Sequence, residues 1–178
     1  MTRKITVRRK LIGIFLFCGI FFGSAMTASA QNNYYQYSYF IYTIAKFVDW
    51  PADYKTGDFI IGVLGESEAT PHFKTLAMKK EIAGRKMKIA EFSTIKDISK
   101  CNMLFIPEAL SGQVPEILKK IKGTAIMMIT EKEGLALKGS CVNFISSQGK
   151  LAFELNSNAM DEAGLKASKE LTKYAIVL

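Results

Sequence analysis

The sequence predicts an α/β fold: a single domain with a mostly parallel sheet, helices on both faces and a C-terminal antiparallel hairpin at one edge. Two observations support this fold class. Apolar runs of strand length alternate with amphipathic stretches of helical period between residues 34 and 139. Two further apolar runs, 141–146 and 151–156, are separated by only four residues, which is a hairpin length.

Residues 1–30 have the three parts of a secretory signal peptide. Residues 1–10 carry five basic side chains and no acid, and an apolar run that includes Cys18 follows from 11 to 23. Ala28 and Ala30 give the small-residue pattern that signal peptidase cleaves, so we expect the working domain to comprise residues 31–178. The alternative is an uncleaved membrane anchor, because residues 11–30 contain no charge.

Most of the net charge belongs to this leader. The whole sequence has a formal net charge of +8, from 24 Lys and Arg against 16 Asp and Glu. Without the five basic residues of the leader, 19 basic and 16 acidic side chains remain, a net charge of about +3. We therefore expect no nucleic-acid partner, and the remaining 148 residues suffice for one domain with its own core.

The sequence of the first half of the domain predicts an N-terminal helix followed by three further elements. Aromatic and aliphatic residues recur at helical spacing over 34–48, and Trp50 before Pro51 ends this helix. A strand buried on both faces is predicted over 58–65, followed by a helix that Thr70 caps. Residues 86–92 alternate basic and apolar side chains, which is typical of a strand near a sheet edge.

The second half continues the alternation of strands and helices. We predict a strand over 102–106, a helix around 114–121 and a strand over 124–129. Thr130 and Glu133 form a capping-box pattern for a short helix that ends at Gly139. After the hairpin, a helix over 158–163 is broken at Gly164, and a last helix is predicted over 167–175.

No arrangement of residues predicts an enzyme, a metal site or a cofactor. His72 is the single histidine and falls just inside a helix, without the spacing of a nucleophile or an acid. Together with Cys101 and Cys141 it lacks the compact spacing of zinc ligands. Gly62 and Gly65 match only part of a dinucleotide-binding turn and indicate a strand end.

Cys101 and Cys141 are the two cysteines that remain after removal of the leader. In an oxidising compartment they could form a disulfide. The alternative is two free, buried thiols, because each cysteine borders an apolar strand. Both alternatives stay open, since the sequence does not fix the Cα separation that a disulfide requires.

The first helix carries more aromatic side chains than one face can bury, with seven between residues 34 and 47. Tyrosine is favoured where one side of a surface is apolar and the other is wet. Tyr35, Tyr39 and Tyr42 are therefore candidates for contact with a protein partner, together with Phe47 and Trp50. The alternative is a helix that lies broadly buried across the sheet.

Seven segments, in order along nearly the whole domain, resemble the YfiR family. They are KFVDWP (46–51), IIGVLGES (60–67), GRKMKI (84–89), CNMLFI (101–106), EGLALKGSCVNFI (133–145), GKLAFELN (149–156) and AGLKASKELTKYA (163–175). The most specific parts are F-V-x-W-P at the end of the first helix, G-x-x-x-N-F at 139–144, and F-E-x-N followed by A-G-L-K at 153–166.

This resemblance implies a periplasmic, non-enzymatic regulator in cyclic-di-GMP signalling. It implies binding to the periplasmic part of an inner-membrane diguanylate cyclase, and a sensor kinase is an equally reasonable partner. It also implies a homodimer, and release by an outer-membrane partner or by envelope stress. We expect the family motif residues to be mainly structural; they are Pro51, Asn143, Phe144, Phe153, Asn156, Gly164 and Leu165.

The alternative function is a periplasmic small-molecule binding protein. Open α/β sheets bind ligands in the crevice at the carboxyl ends of their parallel strands. In this sequence that crevice would lie near Gly65, Pro107 and Thr130.

Overall fold

An eight-stranded sheet is the framework of the computed structural model, which describes residues 27–178 and the side chains from Tyr34 onward. The helices are α1 (Thr27–Phe47), α2 (Thr70–Lys79), α3 (Val114–Ile121), α4 (Ser157–Glu162) and α5 (Lys169–Thr172). The strands are β1 (Val48–Asp49), β2 (Phe59–Leu64), β3 (Glu81–Ile82), β4 (Arg85–Phe92), β5 (Met103–Ile106), β6 (Met127–Thr130), β7 (Val142–Ser147), β8 (Lys150–Leu155), β9 (Lys166–Ala167) and β10 (Ile176–Val177). The basic and apolar parts of the predicted leader, with Cys18, lie outside the described residues.

The strand order in the large sheet is β10-β8-β7-β6-β5-β2-β4-β3. Neighbouring strands are parallel except in two pairs, β7 with β8 and β3 with β4. Every side chain of β5 and β6 is buried, which explains why these strands are continuous apolar runs in the sequence. The predicted fold class, an α/β domain with a mostly parallel sheet and a C-terminal antiparallel hairpin, is confirmed.

The order of the strands places helices on both faces of the sheet. The connection from β2 to β4 runs toward one edge of the sheet, and the connection from β5 to β6 runs toward the other. Because such connections are right-handed, α2 and α3 lie on opposite faces. Tyr37 of α1 and Phe73 of α2 both pack edge-on against Phe105, with ring centroids 6.4 and 5.2 Å apart, so α1 shares the α2 face.

The two helix caps predicted from threonines are wrong. Ala69 precedes α2 in a helical conformation, so the chain turns into the helix before Thr70, and the Thr70 side chain caps nothing. Thr130 is the last residue of β6, and its hydroxyl donates to the Asn143 side chain 2.7 Å away. The helix expected after it is only a 3-10 turn, Ala136–Lys138, although Gly139 does end it as predicted.

The C-terminal helix predicted over 167–175 is much shorter in the structure. Its first residue, Ala167, belongs to β9, which pairs with β1 next to the end of α1. Only the four residues of α5 are helical, and β10 then pairs with β8. The hairpin β7–β8 therefore lies one strand inside the edge of the sheet, because β10 covers its outer side. Pairing with strands distant in sequence overrides the helical propensity of this segment.

Candidate functional site

One face of α1 is fixed to the sheet by aromatic contacts. The Tyr37 ring stacks on Phe144 of β7, with centroids 4.4 Å apart and planes inclined by 22°. Phe40 lies edge-on to Phe153 of β8 at 5.5 Å. Ile41 and Ile44 on the same face are fully buried. The inner half of the aromatic set is therefore core, which makes α1 a rigid base for whatever its outer half contacts.

The outer face of α1 exposes tyrosines. Tyr35 and Tyr39, one helical turn apart, are 70% and 65% exposed, whereas Tyr42 is half-buried. The ammonium of Lys46 lies 5.6 Å from the centroid of the Tyr42 ring and 6.0 Å from that of Phe47. We call Tyr35, Tyr39, Tyr42 and Lys46 the tyrosine surface. Phe47 lies partly buried beside it, packed against the core.

Trp50 is a core residue, so the expectation that it contacts a partner is wrong. Its side chain is 5% exposed. Its indole nitrogen donates to the backbone oxygen of Asn102 at 3.3 Å, and its ring packs edge-on against Phe59 at 5.2 Å. Asn102 is 52 residues from Trp50 in the sequence, so no local sequence pattern predicts that Trp50 is buried.

Arg85 and Asn102 form a polar cluster at the amino ends of β2, β4 and β5 that sequence reasoning missed. The Arg85 guanidinium donates to the carbonyl oxygens of Tyr54, Gly57 and Asp58 at 3.0, 2.8 and 2.7 Å. Burial lowers the pKa of Arg85, and the Asp58 carboxylate opposes this shift. Because its donors are directed at the backbone, Arg85 holds the 54–58 loop in place and offers an incoming anion little.

The motif residues of the hairpin satisfy one another. Asn143 is fully buried; its oxygen accepts from Thr130, and its nitrogen donates to the Glu154 carboxylate on the neighbouring strand at 2.9 Å. Phe144 and Phe153 are directly opposite in the register and together form the seat of α1. These contacts support a structural role for the three motif residues.

The remaining motif residues shape the turn after the hairpin. Asn156 caps α4 by accepting from the Ala159 N–H at 3.0 Å and donates to the Ala136 carbonyl at 2.7 Å. Gly164 follows α4 with φ +67°, and Leu165 is buried beyond it. A Cβ at Gly164 would lie 3.7 Å from the Pro51 ring, so Pro51 packs against this turn.

Cys101 and Cys141 are both free and buried, so the disulfide considered from the sequence is not formed. Burial raises the pKa of the Cys101 thiol to about 12, although the Gly62 backbone N–H favours the thiolate. Burial likewise raises the pKa of Cys141 to about 11, and its thiol contacts the Ala159 carbonyl at 3.6 Å. Thiols in such surroundings are unreactive.

The crevice expected near Gly65, Pro107 and Thr130 is filled by the chain itself. A Cβ built on Gly65 would meet the Leu110 side chain at 2.8 Å, so Leu110 lies directly against the end of β2. Pro107 is buried, and the Thr130 hydroxyl is committed to Asn143. This arrangement does not favour the small-molecule alternative.

Glu131 lies at the same end of the sheet and connects three elements. Its carboxylate accepts the Glu108 backbone N–H at 3.0 Å, and the hydroxyls of Tyr34 and Tyr37 on α1 lie close to it and favour its charged form. Burial raises the pKa of Glu131, with a smaller contribution from the Glu108 charge. Burial and the Glu131 charge raise the pKa of Tyr34 to about 12, and the pKa of Tyr37 is raised for the same reasons.

The described residues offer little catalytic or metal-binding chemistry. His72 is half-buried near the start of α2. Among residues 34–178, no three histidine, cysteine or carboxylate side chains lie close enough together to hold a metal ion. In the same part of the chain, α1 and the other helices are too short or too polar to span a bilayer.

Solved structures share the fold at low sequence identity. The ABC domain from Streptococcus pneumonia in complex with L-Trp matches with a TM-score of 0.52 and 14% identity, covering 67% of this chain and 54% of that one. A conserved domain protein from Vibrio cholerae O1 biovar eltor matches with the same TM-score and identity, covering 81% and 59%. The chain thus spans little more than half of these structures. No curated protein matches it.

A sequence comparison identifies the family. The profile described as YfiR/HmsC-like (DUF4154) matches residues 36–176, from α1 to β10. Members of this family are regulatory and non-catalytic, and the family is associated with periplasmic control of diguanylate cyclase signalling. The resemblance noted from the sequence motifs is confirmed, and the chain belongs to the YfiR/HmsC-like family.

Proposed function

We propose that this protein is an exported regulator that binds and restrains the periplasmic part of an inner-membrane signalling protein, a diguanylate cyclase or a sensor kinase, through the tyrosine surface. The observation that carries this proposal is the division of α1 into two faces. Tyr37 and Phe40 fix the helix to the sheet, whereas Tyr35 and Tyr39 extend into solvent. Exposed tyrosines on a rigid element give a large contact area at a low entropic cost.

Family membership supports the kind of partner. A regulatory family without catalytic chemistry acts by binding, and a periplasmic member can reach only the outer part of an inner-membrane protein. Export would follow from the leader predicted over 1–30 and cleaved after Ala30. In the domain that remains after removal of the leader, the residues that we propose for contact with the partner are those of the tyrosine surface.

Co-purification from the bacterial envelope tests the proposal. The full-length gene is expressed with its own leader and an affinity tag after Leu178, and envelope proteins that co-purify after mild detergent extraction are identified. We expect an inner-membrane protein with a cytoplasmic cyclase or kinase domain to be retained. The double substitution Tyr35→Ser and Tyr39→Ser should reduce its recovery about tenfold or more, because truncating a tyrosine at an interface hot spot costs about 2 kcal/mol or more.

Tyr174 provides a matched control. It is 67% exposed, as exposed as Tyr35 and Tyr39, but it lies between α5 and β10. Tyr174→Ser should leave the recovery unchanged. The proposal is wrong if no inner-membrane signalling protein is retained, or if the Tyr35/Tyr39 variant and the Tyr174 variant retain it equally.

A further inference from the structure

The tyrosine surface carries positive charge without a compensating acid. Lys46 of α1 and Lys80, just after α2, each place an ammonium 5.6 Å from the centroid of the Tyr42 ring. Neither ammonium forms an ion pair with any residue in the described range 34–178. Both side chains are exposed.

The helices beside these ammonium groups carry no carboxylate, and the flanking acids Asp49 and Glu81 lie opposite other lysines. The sequence has no Asp or Glu over 27–48, which includes α1, or over 69–80, which includes α2. Asp49 pairs with Lys55 at 2.7 Å. Glu81 lies opposite Lys86 in the β3–β4 register, where opposite charges attract across the strands. Neither α1 nor α2 therefore supplies a carboxylate to the two ammonium groups around Tyr42.

We propose that the partner surface recognised by the tyrosine surface is an acidic protein surface, with carboxylates that bridge Lys46 and Lys80 over the Tyr42 ring. This inference rests on the proposed function and specifies the chemistry of its partner. Two like charges around one ring repel each other, and partner carboxylates beside them add attractions that offset this repulsion. The cation–π contacts already orient both ammonium groups, so less side-chain entropy is lost on binding.

The rest of the surface favours a protein over an anionic membrane. Helices that lie in a bilayer interface insert large apolar side chains such as Trp, Phe and Leu. On the described part of α1 the exposed large side chains are Tyr35 and Tyr39, and no exposed Trp, Phe or Leu is available to insert among acyl chains. Tyr35 and Lys46 are about 16 Å apart along the helix axis at about 1.5 Å per residue, so the row fits within a protein contact patch of about 800 Å².

Charge reversal tests the inference in the purified complex. The double substitution Lys46→Glu and Lys80→Glu should weaken binding of the retained partner at least about tenfold, because each reversal replaces a close attraction with a repulsion. The matched control is Lys122→Glu with Lys150→Glu, which changes the net charge equally at two exposed lysines of other elements. The control should change binding less than about twofold, since long-range charge effects are screened beyond about 8 Å at physiological salt.

Carbodiimide cross-linking identifies the groups in contact. This reagent joins an ammonium to a carboxylate without a spacer, so in the wild-type complex we expect Lys46 and Lys80 to be coupled to Asp or Glu side chains of the partner. Lys46→Gln with Lys80→Gln should remove these cross-links and reduce binding less than the charge reversal does. Circular dichroism and the melting temperature of each variant check that the fold is retained.

The outcomes separate the inference from the proposed function. If the wild-type chain retains a signalling protein whose affinity is the same for the Lys46/Lys80 and the Lys122/Lys150 reversals, the acidic-surface inference is overturned and the proposed function stands. It is also overturned if vesicles of phosphatidylglycerol and phosphatidylethanolamine bind the chain in a manner that depends on Lys46 and Lys80, while no carboxylate cross-link forms. If the wild-type chain retains no signalling protein, both ideas are wrong.

Discussion

Asn102 shows how one side chain can hold several elements together. Its oxygen accepts from the Ile60 N–H at 3.0 Å, and its nitrogen donates to the Tyr54 carbonyl at 2.9 Å. Its backbone oxygen accepts from the Trp50 indole. The side chain of Asn102 is 3% exposed, so water cannot replace these partners without opening the core. Trp50 and Asn102 are thus parts of one structural cluster.

We expect Asn102→Ala to lower the free energy of unfolding by about 1–3 kcal/mol, because it leaves the Ile60 N–H without its side-chain acceptor and leaves Arg85 as the remaining donor to the Tyr54 carbonyl. Asn158→Ala is the control, since Asn158 is exposed on α4, and it should change stability by no more than about 0.5 kcal/mol. Urea denaturation followed by tryptophan fluorescence measures both, and Trp50 is the only tryptophan in the sequence. Equal midpoints for the two variants would contradict the role given to Asn102.

Glu131 makes the stability of the protein depend on pH. In the unfolded chain a glutamate titrates near pH 4.3. Burial first, and then the Glu108 charge, raise the pKa of Glu131 in the folded state, so folding favours its neutral form. Its contribution to stability is therefore fully present below about pH 4.3 and is lost as the pH rises through the folded pKa. The facing groups are Tyr34, Tyr37, Glu108 and, for Tyr34, Glu68.

We expect Glu131→Gln to be more stable than the wild type at about pH 7, by a few degrees in melting temperature, and to lose this advantage near about pH 4. The Gln oxygen can still accept from the Glu108 N–H, so the hydrogen bond is retained while the charge is removed. Melting curves between these pH values measure the difference. Glu133→Gln, at an exposed position, is the control and should parallel the wild type. A parallel curve for Glu131→Gln as well would exclude this role for Glu131.

At the scale of elements, the junction between β2 and α2 is defined by Gly65. Its φ is +68°, a conformation that strains any residue with a Cβ. A Cβ there would also meet Leu110 at 2.8 Å. Gly65 therefore serves two purposes: it turns the chain at the carboxyl end of β2, and it lets the 3-10 turn Glu108–Gln113 close over that end.

We expect Gly65→Ala to lower the free energy of unfolding by more than Gly84→Ala does. The Gly84 substitution measures the cost of the backbone conformation alone. Gly84 has a similar φ of +73° but nothing within 4 Å of its Cβ position, so its substitution should cost about 1–2 kcal/mol. The extra cost at Gly65 measures the displacement of Leu110. Adding Leu110→Ala should remove that extra cost relative to Leu110→Ala alone. Equal effects of the two glycine substitutions would show that Leu110 moves aside freely.

At the scale of the whole molecule, what could be predicted from the sequence is what local patterns control. The helical period of α1, the apolar run of β2 and the close spacing of β7 and β8 each depend on neighbouring residues. Their order then implied the parallel sheet and its helices on both faces. The exposed positions Tyr35 and Tyr39 were also accessible from the sequence, because one helix face cannot bury every aromatic residue between 34 and 47.

The errors occur where distant partners decide. Residues 166–177 contain good helix formers, yet β1 and β8 draw their two ends into strands. The burial of Trp50 was missed because Asn102, which accepts its indole N–H, is 52 residues away in the sequence. No local pattern predicts the cluster around Arg85, since its acceptors are backbone carbonyls whose positions only the folded chain defines.

The seating of α1 on the hairpin also determines when the tyrosine surface can exist during biosynthesis. Tyr37 and Phe40 emerge first from a translocating chain, but their partners Phe144 and Phe153 follow more than a hundred residues later. Until β7 and β8 have formed, α1 has no seat, and most of the stability of a helix in a protein comes from packing its apolar face. Under the proposed function, a partner that binds the outer face of α1 would therefore bind only the completed fold, and a truncated chain would leave it unrestrained.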